Sequence, residues 1–102
     1  MRLHQMQDSG NCYKVRLTLA HLGQTAELIE VDILTGQSRT DEFLDRLNLN
    51  GRVPVLEVDD STALPESNAI LWFLAEGTRL VPEDKLARAR VLQWMFFEQY
   101  SH

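Results

Sequence analysis

Residues 48–67 read NLNGRVPVLEVDDSTALPES. A polar loop, an apolar run interrupted by Pro54, an acidic pair and a second short apolar run follow one another, which is the pattern of a β-hairpin turning at Asp59 and Asp60. Proline has no N–H to give to a sheet ladder, so Pro54 belongs at an edge or at the first residue of a strand. An X-Pro bond also takes the cis form at modest cost, typically in a tight turn. A cis bond here frees the N–H and C=O of Val53 for something extended, such as a peptide-like ligand. A plain strand-opening proline is the simpler alternative from pattern alone.

Moving outward on the C-terminal side, Glu66 and Ser67 introduce NAILWFLAEG, a third helix capped by Ser67 and closed by Gly77. A helix N-terminus attracts anions, and Ser67 adds a hydroxyl donor to it. Glu66 beside it accepts an ammonium group, so the pair suits the zwitterionic end of an amino acid. Read singly, Ser67 is no more than a cap. After Pro82 a further helix starts near Asp84 and runs to the end of the chain. Its segment QWMFFEQY is apolar at four successive positions, Trp94 to Phe97. Four neighbours cannot share one helical face, so the segment expects partners on more than one side. The expectation is a chain cut inside a larger protein, with residues 81–102 forming a linker and the first helix of a second domain; a dimer interface is the alternative cover.

Moving outward on the N-terminal side, residues 41–47 form a short helix presenting Phe43, Leu44 and Leu47, preceded by a polar loop over residues 35–40. AELIEVDI (26–33) alternates as a half-buried strand, with Leu28 and Ala26 on one face. Residues 2–6 are a first strand with Leu3 and Gln5 inward. Between the strands, Cys12, Val15, Leu19 and Leu22 recur at helical spacing, and Gly23 ends that helix. The order is β-α-β-α-β-β-α over residues 1–80.

The chain has 102 residues with 44% hydrophobic and 25% charged, enough for one domain with a modest core. A net charge of −5 with scattered Lys and Arg argues against nucleic acid and anionic membrane surfaces as partners. Arg2, His4, Gln5, Gln7 and Asp8 interrupt any leader-like apolar run, and no stretch reaches the length of a membrane span. The lone Cys12 has no partner for an internal disulfide and fits a reducing cytoplasm. His4, His21 and His102 show no metal-ligand spacing, and neither a phosphate loop nor a dinucleotide glycine motif is present.

Together, the element order, the polar cluster of SGNC (9–12), the Val-Pro pair at residues 53–54 and the Glu-Ser pair at residues 66–67 resemble the N-terminal domain of the glutathione transferases. LNLNGRVPVLEVDD (47–60) and LPESNAILWFLAEG (64–77) are similar to that family's most recognisable stretches, in a bacterial style, and the resemblance covers essentially the whole chain. It implies a thioredoxin-like α/β fold with a mixed four-stranded sheet, followed by an all-helical domain, and a homodimer for the full-length protein. It also implies that Val53 hydrogen-bonds the cysteinyl part of glutathione with Pro54 cis, and that Glu66 and Ser67 hold the γ-glutamyl ammonium and carboxylate. Arg39 and Arg52 are the candidates for the glycyl carboxylate. Glutathione is the co-substrate, no metal is required, and a small electrophile is the second substrate.

The implied chemistry is activation of a thiol, whose free pKa is about 8.5. Lowering it by about two units takes roughly 2.7 kcal/mol of preference for the anion, which is the scale of a charge-assisted hydroxyl donor acting together with a helix N-terminus. Ser9, just before the first helix, fits the donor role of the serine-type members, and helix capping is its alternative. Asn11 matches the asparagine that some bacterial relatives place near the sulfur. Ser9-x-x-Cys12 overlays the Cys-x-x-Cys of glutaredoxin-like proteins, but Cys12 heads the apolar seam, where a buried thiol is inert. A glutathione-dependent disulfide reductase and a non-catalytic binding module are the competing readings. With most of the helical domain outside the chain, glutathione binding with poor conjugation is expected of these residues alone.

Overall fold

The computed structural model describes residues 1–101. Strands β1 (Arg2–Gln5), β2 (Glu27–Glu30), β3 (Val55–Asp59) and β4 (Thr62–Pro65) form a mixed sheet in the order β2-β1-β3-β4. The β1–β2 pair is parallel, and β1–β3 and β3–β4 are antiparallel. Helices α1 (Gly10–Leu22), α2 (Asp41–Arg46), α3 (Ser67–Ala75) and α4 (Lys85–Ser101) complete the chain. This is the thioredoxin-like β-α-β-α-β-β-α arrangement with one further helix. His102 lies outside the described residues.

Period-two alternation along the strands builds two cores. Leu3 and Leu56 pack against Val15, Leu19, Ile70 and Leu74 from α1 and α3. Val55, one residue from Leu56, faces the other way and packs with Val31 and Phe43 of the α2 side. Cys12, Val15 and Leu19 are the buried residues of α1, as their spacing predicts. Ser9 caps that helix by accepting from Cys12 N–H at 3.2 Å. Gly23 at φ 66° closes it, its N–H reaching the Ala20 carbonyl at 3.2 Å while Gln24 N–H reaches Leu19 at 3.0 Å.

Several local expectations are corrected. The second strand stops at Glu30 rather than Ile33, because Asp32 accepts from Leu34 N–H at 3.0 Å and starts a 3₁₀ turn over Ile33–Thr35. A second 3₁₀ turn, Gln37–Arg39, occupies much of the polar loop. Leu28 is half exposed because β2 is an outer strand with a neighbour on one side only. Ser67 is not the cap of α3. Glu66 takes that place at φ 75°, its carbonyl accepting from Ile70 N–H at 2.9 Å, and Ser67 is the first helical residue, buried. The helix then ends at Ala75, two residues before Gly77. Phe73 of α3 is 49% exposed.

Helix α4 crosses back over α1 and α3. Asn68 Nδ2 donates to the Met95 carbonyl at 2.7 Å, and Arg88 stacks over the Trp72 ring at 5.2 Å. In the run Trp94 to Phe97 only Met95 is half-buried, while Trp94, Phe96 and Phe97 are exposed. No helix among the described residues is long and apolar enough to cross a membrane.

Candidate functional site

The loop from Asn48 to Pro54 is fixed largely by Asn48. Its buried side chain donates to the Arg52 carbonyl at 3.2 Å and accepts from Asn50 N–H at 3.0 Å, while its carbonyl accepts from Gly51 N–H at 2.9 Å. Gly51 sits at φ 63°, and a Cβ there would lie 2.9 Å from the Arg39 side chain and 3.0 Å from the Ser38 carbonyl. Glycine is therefore required both by the left-handed backbone and by the close approach of Arg39. Beyond the loop, the Val53–Pro54 bond is cis and β3 begins at Val55. Among the described residues, neither the N–H nor the C=O of Val53 has a hydrogen-bond partner.

Two adjoining clefts open around this backbone. The larger, about 390 Å³, is lined by Ser9, Asn11, Ile33, Ser38, Arg39, Gly51, Arg52 and Val53. The smaller, about 60 Å³, shares Asn11, Arg52 and Val53 and adds Asn48, Pro54, Glu66, Ser67 and Gln99. Each of the eight residues singled out from the sequence lines one or both of these clefts: Ser9, Asn11, Arg39, Arg52, Val53, Pro54, Glu66 and Ser67. Two arginines and one glutamate border them, an excess of positive charge that favours a ligand carrying more carboxylate than ammonium.

Local structure explains how each side chain is presented. Ser9 caps α1 with its oxygen, which leaves the hydroxyl proton for an acceptor in the larger cleft. Since Glu66 caps α3 through its backbone alone, its carboxylate is exposed at the rim and the Ser67 hydroxyl is released from capping. Ser67 stands where the N–H groups of α3 begin, the electropositive end of that helix. Cys12 does not join the cleft. It is fully buried, and its sulfur accepts from Met6 N–H at 3.5 Å.

Sequence reading missed Ser38, Asn48, Gly51 and Gln99. Gly51 between two polar residues, in a loop ahead of a Val-Pro pair, was the one local signal that marked its place. Ser38 and Gln99 reach the site from turns and helices far away in sequence, where no local pattern marks them. Among the described residues no group of three or more His, Cys, Asp or Glu is placed to hold a metal.

A second polar cluster lies on the α2 face. Glu57, with 7% of its side chain exposed, binds His4 Nε2 closely, pairs with Arg2 at 3.1 Å and has Arg46 at 3.7 Å. Burial pushes the Glu57 carboxyl up, but hydrogen bonds from His4 and Arg2 outweigh it and hold the group below the usual glutamate range. The His4 ring meets Phe43 edge-on, centroids 6.5 Å apart. This cluster shares no residue with the clefts around Val53.

Comparison with known proteins agrees with the geometry. The family described as "Glutathione S-transferase, N-terminal domain" matches residues 8–76, and the chain belongs to that family. Glutathione S-transferase F14 of Arabidopsis thaliana is 45% identical over 78 residues, covering 72% of this chain and 30% of the plant protein. The crystal structure of a possible glutathione S-transferase from Rhodopseudomonas palustris is 56% identical, with a TM-score of 0.92, over 96% of this chain and 44% of that one. A glutathione transferase homologue from Sulfitobacter with bound glutathione is 26% identical, with a TM-score of 0.83, over 94% of this chain and 47% of that one. The chain therefore spans less than half the length of these relatives.

Proposed function

We propose that the clefts around Val53 bind glutathione and hold its sulfur as the thiolate. The observation that carries this reading is the unpaired backbone of Val53, flanked on one side by Glu66 and Ser67 and on the other by Arg39 and Arg52. Glutathione has the matching sequence of groups. Its cysteinyl peptide unit pairs with the Val53 N–H and C=O in the manner of an added strand. Its γ-glutamyl ammonium and carboxylate go to Glu66 and Ser67, and its glycyl carboxylate goes to Arg39 or Arg52. Residues 1–80 form this glutathione-binding unit, and residues 81–102 a linker and a helix that opens an all-α unit.

In that pose the thiol lies beside Ser9 and Asn11 at the head of α1. The Ser9 hydroxyl donates to the sulfur while its oxygen keeps the cap, and the helix N-terminus adds its partial positive charge. The thiol proton passes to water, and the held thiolate then attacks an electrophilic carbon, its lone pair forming the C–S bond while the electron pair of the broken bond departs with a leaving group or moves along a conjugated π system that water then protonates. Because the chain spans less than half of its relatives, the electrophile's binding site and pairing into a homodimer belong to this proposal for the whole protein. Disulfide reduction through Cys12 is not favoured, since that sulfur is buried and engaged by Met6 N–H.

Calorimetric titration of glutathione at neutral pH, with Ser9→Ala in parallel, tests the reading. The expected result is binding by the unmodified chain, with Ser9→Ala raising the thiol pKa of bound glutathione by about one unit, or tenfold in thiolate. Absence of binding would overturn the reading.

A further inference from the structure

Helix α4 reaches the cleft through a directional chain of polar groups. Lys14 of α1 binds Glu98 closely, the two side chains being 18% and 40% exposed. Gln99 Nε2 lies 2.8 Å from Glu98 Oε2 and 3.1 Å from Asn11 Oδ1. An ionised carboxylate only accepts hydrogen bonds, so the end of the Gln99 amide facing Glu98 is its NH₂. That nitrogen has two hydrogens. One goes to Glu98, the other to Asn11, and Asn11 must therefore offer its oxygen. What remains of Asn11 is Nδ2, a donor that makes no hydrogen bond to any described residue and belongs to a side chain lining both clefts.

We infer that Gln99 is a positioning residue: anchored by Glu98 and Lys14, it pins Asn11 by the amide oxygen and so aims Asn11 Nδ2 as a donor at the sulfur of bound glutathione. The inference rests on the proposed function and adds a second-layer residue to it. An untethered asparagine can turn its oxygen to a neutral S–H and its nitrogen to a thiolate, and so discriminates little between the two forms. A tethered one presents only the donor, so it favours the ionised over the neutral thiol. The charged groups lining the two clefts, Arg39, Arg52 and Glu66, lie on other elements, and among the described residues none is hydrogen-bonded to Gln99. The chain Lys14–Glu98–Gln99–Asn11 joins the first helix of the fold to the last across 88 positions between Asn11 and Gln99.

The test follows the ultraviolet absorbance of the thiolate as glutathione bound to the protein is titrated, in the unmodified chain and in Asn11→Ala, Gln99→Leu, Gln99→Glu and Gln99→Lys. S-methylglutathione, which has no ionisable thiol, serves as the control for binding. Gln99→Leu is expected to raise the bound thiol pKa by about one unit, tenfold in thiolate, with S-methylglutathione affinity unchanged. Gln99→Glu is expected to do at least as much, since its carboxylate draws Asn11 Nδ2 to itself and turns the oxygen to the sulfur. Gln99→Lys, a donor only, keeps the low pKa. If Asn11→Ala raises the pKa and Gln99→Leu does not, the inference fails while the proposed function stands. An unchanged pKa in every variant also sinks it, as does parallel loss of S-methylglutathione binding in Gln99→Leu, which marks a merely structural role. If the unmodified chain binds no glutathione, the proposed function itself falls and takes the inference with it.

Discussion

On the α2 face of the sheet, Glu57 is ringed by His4, Arg2 and Arg46, and every polar atom of consequence has found a partner. Around Val53, in the loop just before the same strand, backbone groups, the Asn11 Nδ2 and the Ser9 proton are left open toward a cleft. Both regions hold polar groups in a largely apolar domain. The first has matched them internally, at the expense of any ligand, and so works for stability. The second leaves donors and acceptors facing an open cleft, where water or a ligand can meet them, which is why the proposed function is placed there.

The comparison breaks if removing the paired cluster harms binding as much as folding. Glu57→Ala strands His4 and Arg2 beside a buried void and is expected to cost about 3 kcal/mol. A lower urea midpoint would show it, with glutathione affinity of the folded protein within about twofold of the original. Acid should find the same weakness. Glu57 is held below its unfolded pKa, so its contribution is full above the ordinary glutamate range, near pH 4.3, and is lost as the pH falls through the lower folded value. Glu57→Gln should show a shallower fall in urea midpoint between neutral pH and that acid window than the unmodified chain.

The opposite signature is expected from Ser67→Ala, which removes a donor to a carboxylate without removing the cap of α3. Glutathione should bind roughly 10- to 100-fold more weakly, while the urea midpoint hardly moves. Gly51→Ala tests where the two regions meet the backbone. Strain at φ 63° and contact with Arg39 and Ser38 should cost about 1–2 kcal/mol and displace Arg39, seen as weaker glutathione binding together with a lower melting temperature. Arg46→Ala is the smallest. Its side chain is 54% exposed and 3.7 Å from Glu57, so the change in stability should stay within about 0.5 kcal/mol. A larger loss would mean that the cluster depends on Arg46 rather than on His4 and Arg2.

Much of the fold was legible because it is written in short periods. The seam Cys12, Val15, Leu19 predicted a buried face, Gly23 a helix end, and the hairpin between Pro54 and Glu66 needed only its acidic turn. Six of the eight candidate residues were legible for another reason: a Val-Pro pair, a Glu-Ser pair and a polar cluster before a helix are local patterns, whereas Arg39 and Arg52 came only from the family resemblance. The rest was not local. Alternation places Glu57 on the same face as Val55, yet an acidic residue in a hairpin strand reads as outward until His4 and Arg2 are found opposite it.

The sequence by itself determined the order of elements, the apolar stripes and a set of candidate residues for a zwitterionic, peptide-like ligand. Tertiary structure alone decided that Glu57 is paired with His4 and Arg2, and that Gln99 meets Asn11. The physical reason is range. Side-chain periodicity and capping preference are set within a few residues of the chain, whereas a hydrogen bond between positions 11 and 99 exists only once the helices carrying them have packed.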